Sequence, residues 1–94
     1  MMKQKELPLK EVYEENDAHN SKERILVVHN DDYHTFDYVI DALMKICDHD
    51  LPQAEQCTLL IHFKGKCDVK KGNFSYLRPL KNALVQKDLR ATID

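Results

Sequence analysis

The sequence predicts an α+β fold in the order β-α-α-β-α-β: a three-stranded antiparallel sheet with three helices on one face. Three observations carry this. Short aliphatic or alternating runs at 24–28, 66–70 and 89–93 have the period of strands. The longer segments between them repeat apolar residues at helical spacing. A chain of 94 residues is one domain's worth of polypeptide, so these elements have only each other to pack against.

Residues 1–23 come first and hold no persistent period. They read as a flexible N-terminal arm, with Leu7, Leu9, Val12 and Tyr13 as an isolated apolar island. The domain proper is expected over 24–94. Arg24–Val28 is aliphatic, too short for a helix and bounded by charge, so it is a strand. Asn30–His34 is a polar loop. Thr35 is placed to cap a helix on which Phe36, Val39, Ile40, Leu43 and Cys47 share one face, with Asp37 near the positive end of its dipole.

Asp48-His49-Asp50 then interrupts the pattern. Asp50 caps a second helix, with Gln53 at capping-box spacing and Pro52 in the first turn, where its missing N–H costs little. That helix is expected over 51–63 and to end at Gly65 in a left-handed cap, with His62 on the last turn. So short a link predicts that the two helices pack as a pair. Lys66–Lys70 alternates as a half-exposed strand, and Lys71-Gly72-Asn73 is a turn. Asn73 or Ser75 opens the third helix, with Leu77, Leu80 and Leu84 inward and Pro79 expected to confine the start. Leu89, Ala91 and Ile93 alternate as the last strand.

Composition excludes several classes. With 2 Gly and 3 Pro the chain is neither fibrous nor low in complexity. Its net charge of −2 is unevenly spread: residues 24–62 hold two basic side chains (Arg24, Lys45) against seven acidic ones, and residues 63–94 hold eight basic against three acidic. The acidic middle opposes nucleic-acid binding, and the basic third lacks interleaved aromatics. The 3 cysteines, Cys47, Cys57 and Cys67, have no zinc spacing and no disulfide framework; they read as reduced core residues. No apolar run is long enough for a signal segment or a membrane span. A cytoplasmic monomer without cofactor or metal is expected.

Chemistry concentrates where the first strand breaks into Asn30-Asp31-Asp32, and at His62. If the second helix packs beside the first strand, the histidine lies over the loop. An α-ammonium group has three donors and one positive charge, and Asn, Asp and neutral His supply acceptors for it. Such binding weakens once His62 becomes cationic. Val28, Phe36, Val39, Thr58, Ile61 and Leu89 then offer an apolar lining beneath, although each also serves as core. The same polar residues also read as an ordinary turn and a helix-end histidine, or, with His34, as ligands of a divalent cation in a small metal-dependent enzyme. No Ser or Cys stands in a nucleophile's setting.

The stretch VVHNDDYHTFDYVIDALMKICDHDLPQAEQCTLLIHFKGK resembles the core of the ClpS family of Clp protease adaptors. The family's aliphatic strand, N-D-D-Y, F/M-x-x-V and aliphatic-His-x-x-G appear as Ile25–Val28, Asn30–Tyr33, Phe36–Val39 and Ile61–Gly65. The closing Leu89–Ile93 resembles its last strand. The resemblance implies an adaptor, not an enzyme, that binds proteins whose first residue is bulky and hydrophobic (an N-degron) and delivers them to a Clp AAA+ unfoldase of the ClpA or ClpC type. It implies that Asn30, Asp32 and His62 hold the α-ammonium, that Asp31 shapes the loop, and that His29 and His34 join the apolar lining. The chain departs from the family at His29, at His34-Thr35, at Phe36 and Thr58 where Met is common, and in a third helix without the usual A-E-x-K signature. That last departure leaves room for a third reading: an interaction domain without the degron pocket, docking through Lys81 and Lys87.

Overall fold

The structure, a computed structural model, describes residues 22–94. The expected arm therefore lies outside the described residues, apart from Lys22 and Glu23. The order is β1 (Arg24–His29), α1 (Phe36–Cys47), α2 (Leu51–Lys64), β2 (Lys66–Gly72), α3 (Phe74–Gln86) and β3 (Arg90–Ile93). The strands form one antiparallel sheet in the order β2-β1-β3. This is the predicted architecture.

The central strand is the most apolar one, as a strand with neighbours on both sides requires. Its Leu26 and Val28 join Cys67, Val69 and Ala91 of the edge strands in the core shared with the helices. Those residues share one face of the pleat, which places the helices on that face. All three helices supply apolar stripes to this core: Val39, Leu43 and Cys47 from α1, Ala54, Cys57 and Ile61 from α2, Leu77 and Leu84 from α3. Between β1 and β2 the register slips: Leu26 stands opposite Lys70 and Val27 opposite Asp68, leaving Val69 as the extra residue of a bulge.

The helix signals act as chemistry demands. Thr35 accepts a hydrogen bond from Tyr38 N–H (3.2 Å), Asp50 from Gln53 N–H (2.9 Å) and Asn73 from Tyr76 N–H (2.9 Å). Gly65 closes α2 at φ 93°, the left-handed region glycine enters without penalty. Five boundaries differ from expectation. β1 reaches His29, α2 reaches Lys64, β2 runs on through Gly72, β3 begins at Arg90 rather than Leu89, and Pro79 lies inside α3 rather than just after its start. The Asn73 cap fixes that start, and Leu77, fully buried, pins the first turn to the core. Together they hold a helical turn on the N-terminal side of the proline despite its missing N–H.

His49 was legible only as punctuation. It is buried, and its Nε2–H donates to the Val69 carbonyl at the bulge (2.7 Å). The link between α1 and α2 is thereby tied to β2. All three thiols are buried and free. Burial pushes Cys67 up to about 12 and Cys47 up to about 11, so both stay neutral near neutral pH. Among the described residues no helix is long and apolar enough to cross a membrane.

Candidate functional site

β1 ends, the chain turns through 30–34, and α1 begins. The C-terminal half of α2 lies alongside. Between them is a cavity of about 240 Å³ lined by Val28, His29, Asn30, Asp31, Asp32, His34, Thr35, Phe36, Val39, Thr58, Ile61, His62 and Leu89. All twelve residues singled out in the sequence line it. Thr35, read there only as a helix cap, is the addition.

Its inner wall is apolar. Val28, Val39, Ile61 and Leu89 are all buried. Thr58 is buried too, but its hydroxyl donates to the Ala54 carbonyl (2.7 Å) and so is satisfied within α2. At the mouth the polarity changes. Asn30 Nδ2 donates to Asp32 Oδ1 (3.0 Å), and Asp32 N–H reaches Asn30 Oδ1 at only 3.4 Å. Asp32 Oδ2 has no protein partner among the described residues, and Asn30 Oδ1 keeps acceptor capacity. Asp32 itself takes φ 59°, a conformation that Asp tolerates better than most residues. His62 touches Phe36 and Phe63 edge-on, with ring centroids 5.3 and 4.8 Å away, and makes no hydrogen bond to the protein among the described residues. Asp32, Asn30 and His62 therefore retain acceptors.

Asp31 is different. Its Oδ1 accepts from Tyr33 N–H (2.9 Å) and His34 N–H (3.2 Å), and its Oδ2 pairs with His34 Nδ1 (2.7 Å). Both oxygens are engaged within the loop, so Asp31 holds its shape and presents no free acceptor. Burial pushes the Asp31 carboxyl up, but the Tyr33 and His34 donors together outweigh it and leave the group below its ordinary 3.8. His34 in turn stacks on Tyr38 at 4.6 Å, and Tyr38 Oη donates to the Lys87 carbonyl (2.9 Å). The loop is thus braced against the end of α3. His29, also on the lining, pairs its Nε2 with Thr92 Oγ of β3 (2.8 Å).

Two contacts unread in the sequence join the halves of the site. Asn30 N–H donates to the Gly65 carbonyl (2.9 Å), tying the loop to the cap that follows His62. Arg90 Nη1 donates to the Asn30 carbonyl (3.2 Å) from β3. Both bonds end on backbone carbonyls, which carry no residue signature, so no spacing rule finds them. Among the described residues no three His, Cys, Asp or Glu side chains converge as metal ligands. The engagement of Asp31 removes one donor from the carboxylate set weighed for a cation.

The domain is thus an α+β sandwich with an acceptor-rimmed apolar cavity at a strand end. The model of the family "ATP-dependent Clp protease adaptor protein ClpS" matches residues 18–92, and the chain belongs to the ClpS family, whose description is that of an adaptor, not an enzyme. Curated ClpS adapter proteins of Pectobacterium carotovorum subsp. carotovorum and Serratia proteamaculans are 42% and 39% identical over 41 residues, 44% of this chain. The matched stretch spans 39% of the length of each relative. The solved structure of Agrobacterium tumefaciens ClpS2 bound to L-phenylalaninamide superposes with a TM-score of 0.73 over 79% of this chain and 96% of that one, at 18% identity. That likeness is one of fold.

Proposed function

We propose that this chain is an N-degron adaptor. It binds proteins whose first residue is bulky and hydrophobic, and presents them to a cytoplasmic Clp AAA+ unfoldase of the ClpA or ClpC type. The observation that carries this is the pairing of unspent acceptors on Asn30, Asp32 and His62 with an apolar cavity directly beneath. An α-ammonium carries three donors and a charge, which suits two neutral acceptors and one carboxylate. A single side chain attached to the same carbon then enters the cavity. At about 240 Å³ it falls below drug-sized pockets of about 300–1,000 Å³ and suits one side chain. The ligand of the similarly folded ClpS2, phenylalaninamide, has this chemistry: a free amine beside a benzyl group.

No bond is made or broken in this scheme. Asp31 and His34 hold the loop, Asp32 supplies the countercharge, and His62 and Asn30 complete the donor-acceptor match. The test is affinity for a short peptide beginning with Phe. Asp32→Ala and His62→Ala should each weaken binding by roughly 1–3 kcal/mol, the scale for a lost hydrogen bond to a charged group. Unchanged affinity in both variants overturns the reading.

A further inference from the structure

Exposed aromatic surface is concentrated at the mouth of the cavity. Tyr33 and Phe63, at 83% and 73% exposure, are the most exposed large apolar side chains among the described residues, and Phe36 adds a ring at 41%. Tyr33 follows the Asn30-Asp31-Asp32 turn and Phe63 follows His62. Phe36, His62 and Phe63 form a continuous edge-to-face row, with centroid spacings of 5.3 and 4.8 Å and interplanar angles of 71° and 82°. Phe36 belongs to the cavity lining, whereas Phe63 lies beyond it. Phe63 adds nothing to the core, and water contact over most of an aromatic ring is unfavourable.

We infer that Phe63, with the row it ends, is a shelf for the second residue of the bound peptide and selects an apolar side chain there. The inference rests on the N-degron reading, because it needs the first residue in the cavity. With the α-ammonium held at His62, the next Cα lies 3.8 Å from the first. The second side chain leaves the cavity at its rim, where His62 and Phe63 are sequence neighbours in edge contact. The occupant is thus the continuation of a chain already anchored. Charge disfavours an acidic occupant: Asp31 and Asp32 both line the cavity, so an acidic second residue meets repulsion.

The test uses free-amine peptides that begin with Phe and differ only at the second residue, Leu, Ser or Asp, with N-acetylated Phe-Leu as a control. Full-length protein should bind the Leu peptide roughly fivefold tighter than the Ser peptide, as expected for partial burial of an aliphatic side chain, and the Asp peptide weakest. Phe63→Ser should bring the Leu peptide down to the level of the Ser peptide and leave the Ser peptide nearly unchanged. Phe63→Tyr, which keeps the ring, should restore the preference. Equal binding of the Leu and Ser peptides by the wild-type protein overturns the shelf, as does a uniform loss with all peptides in Phe63→Ser, which would mark Phe63 as a support for His62 alone. Acetylation separates the two readings. Loss of binding on acetylation without second-residue preference sinks only the shelf, whereas equal binding of the acetylated peptide sinks the pocket and the shelf together.

Discussion

Two adjacent aspartates show how much a residue's role depends on its neighbours. Asp31 and Asp32 are the same in sequence, yet Asp31 spends both oxygens on Tyr33 and His34, while Asp32 keeps one without a protein partner among the described residues. Spacing alone marks the pair without dividing the labour, and only the family resemblance assigns Asp31 to the loop, because the division depends on a left-handed turn at Asp32 and on where His34 swings. The division has a pH signature. Asp31 titrates below its ordinary 3.8 in the fold. A carboxyl lowered by folding stabilises fully above its unfolded value, and the contribution vanishes as pH falls through the folded value. Asp31→Asn should therefore be less stable than wild type at neutral pH, with the gap closing in acid below 3.8. Urea melts of both proteins at neutral pH and in acid measure it; a gap that is constant with pH contradicts the assignment.

At the scale of elements, the site is held by a loop-to-cap bond. Gly65 closes α2 in the left-handed region, and its carbonyl receives the Asn30 N–H. An added Cβ at Gly65 meets nothing within 4 Å, so substitution there is a backbone problem, not a packing one. Gly65→Ala should cost about 1–2 kcal/mol of stability, the penalty of a left-handed L-residue, and should lower peptide affinity because the strained cap shifts His62 against Asn30. Denaturant melts and a peptide titration check both; a loss of stability with full affinity would show that the cap does not position the site. Most of this scale was readable. Capping residues, periodicity and the left-handed glycine placed every helix and strand. Pro79 was misread because a local rule for proline met a first turn fixed by Asn73 and Leu77. The bulge at Val69, with His49 bound to it, was invisible because it depends on cross-strand register, which a single strand's sequence does not encode.

For the whole molecule, the fold converts two stretches about thirty residues apart into one cavity. β1 carries the acceptor loop to the end of the sheet, and α2 brings His62 over it. The charge division follows the same geometry: the acidic third builds β1, the acceptor loop, α1 and most of α2, while the basic third builds β2, α3 and β3. On the proposed reading this cavity recognises a free α-ammonium joined to a hydrophobic side chain. The most direct measurement of this is a calorimetric titration with one Phe-first peptide in two forms, free and N-acetylated. The free peptide should bind, and acetylation, which removes the charge and two of the three donors, should abolish binding. Equal affinity for the two forms would rule out recognition of the α-ammonium.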